Sequence, residues 1–88
     1  MKKIMIVCGN GLGSSFIVEM NVKKILSKLN KEAEVWHTDI TSAKSEKADI
    51  IISARDIAEH LNGHEAKIFG LSNLLDNNKI EEIIKENL

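Results

Sequence analysis

The run Ile4-Met5-Ile6-Val7 contains no polar residue, and it constrains the fold more than any other stretch of the chain. A strand with one wet face alternates apolar and polar side chains. A short run that does not alternate suits a strand covered on both faces, which is the situation of a parallel sheet with helices above and below it. Lys3 to Cys8 is therefore placed centrally in such a sheet, and Ala48-Asp49-Ile50-Ile51-Ile52 is a second run of the same type.

The remaining segments alternate with these strands. From Ser15 to Asn30, Val18, Val22, Ile25, Leu26 and Leu29 recur at helical spacing, with Glu19, Lys23, Lys24 and Lys28 toward the other side. Ser14 or Ser15 can cap this helix and Asn30 can stop it. Ala33 to Thr38 mixes Val35 and Trp36 with Glu34 and His37, which suits a half-exposed strand at an edge. Thr41 to Lys47 reads as a turn or a single helical turn. Ser53-Ala54-Arg55-Asp56 matches the S-x-x-[DE] capping pattern and predicts a helix through Leu61 that ends at Asn62-Gly63. Ala66 to Leu71 is the fourth strand, Ser72 to Asn78 is turn-rich, and Ile80, Ile83, Ile84 and Leu88 line one face of a closing helix. Strand and helix in strict alternation predict an α/β fold with a parallel sheet between two helical layers.

An 88-residue chain is read as one domain, residues 1–88, and its 43% of hydrophobic residues can form a core without disulfides. A single cysteine forms no internal bridge, so nothing calls for an oxidising compartment. The apolar run behind Lys2 and Lys3 is too short for a signal-peptide core or a membrane span, and a cytosolic location is expected. With 12 Lys+Arg against 13 Asp+Glu and only Phe16, Trp36 and Phe69 as aromatics, the chain has neither the field nor the stacking surface for nucleic acid. Proteins or small molecules are the expected partners.

The chemistry concentrates where the first strand ends, in Cys8-Gly9-Asn10-Gly11-Leu12-Gly13-Ser14-Ser15. Glycines there let the backbone turn so tightly that successive N–H groups point into one hollow suited to an anion. The positive end of the following helix adds to it, favouring the charge of a bound phosphate and of a thiolate alike. Ligands of open α/β sheets collect at this end of the strands. Cys8 is accordingly the candidate nucleophile, with Gly9, Asn10, Gly11, Leu12, Gly13, Ser14 and Ser15 as the phosphate-binding loop.

Neighbouring motifs fail at one position. G-x-G-x-x-G from Gly9 needs glycine where Ser14 stands, and G-x-x-x-x-G-K-[ST] fails there and lacks its lysine. Low-molecular-mass tyrosine phosphatases and arsenate reductases use C-x5-R, which needs arginine at the same place. An arginine fork stabilises the transition state of phosphoryl transfer. Without it, hydrolysis of ordinary phosphate esters should be slow, whereas a phosphohistidine donor is less demanding because imidazole leaves phosphorus more readily than an alkoxide does.

CGNGLGSS after the first strand, together with ADIIIS at the third, resembles the cytoplasmic IIB component of the phosphoenolpyruvate-dependent sugar phosphotransferase system (PTS), in its ascorbate type and more distantly its galactitol type. The resemblance implies a four-stranded parallel sheet of order 2-1-3-4 in a three-layer, Rossmann- or flavodoxin-like arrangement. It implies that Cys8 takes phosphate from a histidine of the IIA component and delivers it to a substrate, L-ascorbate in this type, carried by the membrane permease IIC. The activity is that of a protein-phosphohistidine–sugar phosphotransferase (EC 2.7.1.-), without metal or organic cofactor, by a cytoplasmic protein that spans no membrane and meets IIC transiently. The alternatives are a low-molecular-mass phosphatase or arsenate reductase-like enzyme, and a non-catalytic anion-sensing regulatory module.

Other residues carry weaker signals. Ser53 and Arg55 could overlook the loop from the next connection, or Arg55 is a solvated helix-start arginine. His60 and His64 have a spacing that binds metal on a helix, but Asn62-Gly63 should end the helix between them, leaving a surface pair. His37 reads as a partly exposed strand residue. Leu12, Phe16 and Met20 could form an apolar contact for partner proteins, against the plainer reading that all but Leu12 are core.

Overall fold

The computed structural model describes residues 1–8 and 12–88, the side chains of residues 12–14 excepted. Four parallel strands, β1 (Lys2–Val7), β2 (Ala33–Thr38), β3 (Ile50–Ala54) and β4 (Lys67–Leu71), form one sheet in the order β2-β1-β3-β4. The helices are α1 (Leu12–Lys28), α2 (Ile40–Ala43), α3 (Arg55–Ala58), continued as a 3₁₀ turn over Glu59–Leu61, and α4 (Asn77–Asn87). This is the flavodoxin-like winding that the family resemblance implies.

Burial explains the order. Ile4, Met5, Ile6 and Val7 of β1 and Ile51 and Ile52 of β3 are fully covered, and each large side chain so covered is worth about 1.5–3 kcal/mol. The strands bearing Glu34, His37 or Lys67 take the edges, because an unpaired charge under both helical layers would cancel that gain. The pleat sorts the core into two clusters. Ile4, Ile6, Ile50 and Ile52 meet Val18, Val22, Ile25 and Leu26 of α1 and Ile80, Ile83 and Ile84 of α4. Met5, Val7 and Ile51 meet Ala43, Leu61 and Ala66 on the opposite face, where Trp36 and Ile57 pack against them.

The element ends have identifiable chemistry. Asn30 is left-handed at φ 57°, its N–H donates to the Ser27 carbonyl, and that of Lys31 donates to the Leu26 carbonyl. These two bonds are the Schellman closure of α1, so Asn30 stops the helix as predicted. Asp39 caps α2 through Ser42 N–H, and Asp76 caps α4 through Lys79 N–H.

Two expectations are corrected. α1 starts at Leu12, so Ser14 and Ser15 lie within its first turns and neither is its cap. Ser53 caps nothing, because it belongs to β3, opposite Val7, and its hydroxyl donates to the Ala54 carbonyl at 3.2 Å. Ala54 occupies the cap position of α3 without a side-chain bond. That missing cap accompanies a helix that tightens into a 3₁₀ turn after one turn.

Candidate functional site at the carboxyl end of β1

β1 sends its connection to β2 on one side, and β3 sends its connection to β4 on the other. The carboxyl ends of these two central strands therefore flank the switch point where ligands of open sheets bind. Cys8 follows β1 at that place. Its backbone N–H donates to the Thr38 carbonyl at 3.3 Å, which extends the β1–β2 pairing by one residue and fixes the start of the loop. The residue as a whole is buried, with 7% of its surface exposed.

Gly9, Asn10 and Gly11 of the candidate loop lie outside the described residues. Leu12, Gly13 and Ser14 form the amino-terminal turn of α1, a 17-residue helix whose first N–H groups have no intrahelical partner and whose dipole favours an anion. Ser15 is fully buried. Among the described residues its hydroxyl has no hydrogen-bond partner, a condition that costs roughly 1–3 kcal/mol unless a ligand or water satisfies it.

Ser53 lies at the carboxyl end of β3 and Arg55 opens α3 directly after it. Ser53 is fully buried and pairs with Val7, the residue before Cys8. Arg55 is exposed and lines a cavity of about 330 Å³ with Phe69, Gly70, Leu71, Asp76 and Lys79, on the β4 side of β3. Phe16 and Met20, with Ile17 beside them, are 54%, 43% and 50% exposed; the reading that makes Phe16 and Met20 core is overturned, and an apolar strip follows the loop along α1.

Two histidines have roles that spacing did not reveal. His64 accepts Ala66 N–H on Nδ1 at 3.0 Å and donates from Nε2 to the Glu46 carbonyl at 2.8 Å, so it is a structural link between loops and not half of a surface pair. Among the described residues no three His, Cys, Asp or Glu side chains could hold a metal ion. His37 donates from Nδ1 to Glu19 at 2.6 Å. Glu19 is 14% exposed, and burial pushes its carboxyl up, but hydrogen bonds from Lys23 and His37 and their charges outweigh this and hold it below the ordinary value. Residues 18 positions apart fall outside every local pattern.

Residues 3–86 match the family model of the PTS system lactose/cellobiose-specific IIB subunit. An ascorbate-specific PTS system EIIB component of Mycoplasma pneumoniae is 35% identical, over 94% of this chain and 90% of that protein. Its counterpart from Escherichia coli O157:H7 is 37% identical, over 96% of this chain and 90% of that protein. The lactose-specific IIB domain from Streptococcus pneumoniae superposes with a TM-score of 0.66 at 15% identity, covering 98% of this chain and 96% of the domain, a likeness of fold. No helix among the described residues is long and apolar enough to cross a membrane.

Proposed function

Since the chain belongs to the lactose/cellobiose-specific IIB subunit family of the phosphotransferase system, we propose that Cys8 is its phosphoryl carrier. The thiolate attacks phosphorus of a phosphohistidine on a IIA partner; an S–P bond forms as the P–N bond breaks, and the imidazole leaves with the electron pair and takes up a proton. In the second step a hydroxyl of the substrate attacks the same phosphorus, loses its proton, and the P–S bond breaks to regenerate the thiolate. The observation that carries this reading is the place of Cys8, at the sheet's switch point and just ahead of the amino-terminal turn of α1. Main-chain donors there stabilise the charge that develops on the transferred group.

The loop from Gly9 to Ser15 holds the phosphoryl oxygens in this reading, and Ser15 contributes a hydroxyl that nothing among the described residues uses. Phe16, Ile17 and Met20 give the donor protein an apolar strip along the first turns of α1. The substrate is L-ascorbate, supported by relatives that carry that specificity at 35% and 37% identity, and the second step takes place at the cytoplasmic face, on transient contact with a membrane IIC component.

Intact mass after incubation with phosphoenolpyruvate, the general relay proteins and IIA tests the reading. One phosphate adduct is expected, absent in Cys8→Ser. No adduct on the native chain, or turnover of an aryl phosphate in its place, overturns it. Phosphorylation of ascorbate but not galactitol by membranes containing the ascorbate permease tests the substrate.

A further inference from the structure

His37 stands next to Thr38 at the end of β2, and Thr38 is the residue whose carbonyl holds the backbone of Cys8. The same imidazole reaches the other flank of the loop. It donates to Glu19, about two turns into α1, and it meets the ring of Phe16 edge-on, with centroids 6.2 Å apart and planes at 85°. The Glu19 carboxylate is held from both sides, one oxygen by His37 and the other by Lys23 at 2.8 Å. The end of β2 thus grips both the residue that enters the loop and the helix that leaves it.

We infer that the Glu19–His37 pair is a positioning clasp that sets the span between Cys8 and the start of α1, and with it the alignment of the thiol for phosphoryl transfer. The inference rests on the carrier role of Cys8. An exposed pair of this kind would contribute little, but here the side chains are 14% and 26% exposed, so the contact is partly shielded from solvent and salt. It joins two elements that no other described side-chain hydrogen bond joins. A misplacement of the thiol by about 1 Å would cost up to a hundredfold in rate, so a clasp need not touch the phosphoryl group to matter.

The experiment compares native protein with Glu19→Ala, His37→Ala, the double variant, and the conservative Glu19→Gln and His37→Asn, each of which can keep one hydrogen bond. Two rates are read: alkylation of Cys8 by iodoacetamide, and phosphoryl uptake from IIA by intact mass. Each alanine variant should raise alkylation, because the covered thiol is released, and lower uptake by about ten- to a hundredfold. The double variant should match the single ones, as expected for two residues in one contact, and the conservative variants should stay within about threefold of native. His37→Phe keeps the ring against Phe16 while deleting the donor, and should behave as His37→Ala if the alanine variants fold poorly. Native rates in the alanine or phenylalanine variants, or strictly additive effects in the double variant, overturn the clasp. If the native chain takes up no phosphate, the carrier reading fails instead, and the alkylation rates still decide the clasp.

Discussion

The backbone N–H of Ala66 donates to Nδ1 of His64 at 3.0 Å while Nε2 of the same ring donates to the carbonyl of Glu46. One tautomer satisfies both bonds, with its proton on Nε2. The ring therefore closes the loop before β4 onto the loop before β3.

His64→Leu keeps much of the volume but removes both partners, leaving the Ala66 N–H orphaned at a position only 9% exposed. A loss of about 1–3 kcal/mol is expected, read as a lower urea midpoint with unchanged m-value. A midpoint equal to native would show that water replaces the ring without cost.

Glu19 gives a pH dependence of definite sign. Its carboxyl lies below the ordinary value of 4.5, burial opposing but Lys23 and His37 prevailing. A group with a depressed folded-state value contributes stability above its unfolded value and loses that contribution as pH falls through the folded one. Urea unfolding from pH 6 down toward pH 3 should therefore show native protein losing more stability than Glu19→Gln below about pH 4.5. Parallel curves would mean that the carboxylate is not stabilised by folding.

Ser15→Ala should separate stability from activity. The buried hydroxyl has no partner among the described residues, and alanine is the better helix former. The variant is expected to gain about 1 kcal/mol in the unliganded protein while holding phosphate less well, read as faster loss of the adduct from the phosphorylated chain. A destabilised variant with native adduct lifetime would contradict both halves.

Gly70→Ala tests the fit of α3 on β4. A Cβ there would stand 3.0 Å from Cβ of Ala58 and 3.1 Å from Cα of Arg55, so the helix must move off the strand at a cost of about 1–3 kcal/mol. Gly63→Ala meets open space but keeps φ near +92°, and its loss of about 1 kcal/mol would be backbone strain alone. Thermal unfolding of the two variants should rank Gly70→Ala as the less stable.

The unbroken apolar runs at Ile4 and Ile50 led directly to the two central strands, because burial on both faces leaves that mark in any sequence. Asn30 was legible for a similar reason: its left-handed stop depends on that residue and its immediate neighbours. Ser53 was misread because a capping box and a strand end can share the same letters, and pairing with Val7 decided between them. The late start given to α1 reflects Gly13, whose low helix propensity did not prevent the helix from beginning at Leu12. The role proposed for Cys8 rests on the glycines that follow it in the sequence. Glu19 with His37, and His64 with Glu46, left no such mark, since each pair is brought together only when a helix and a strand, or two loops, have already packed.

Because the switch point after Cys8 comes from two adjacent strands whose connections leave toward opposite sides, it belongs to the winding of the chain and not to any one side chain. Residues around it are thus free to be exchanged for others with different reactivity while the framework beneath keeps its shape. Such a scaffold separates the work of standing up from the work of reacting, and new specificity can be acquired at its mouth without relearning how to fold.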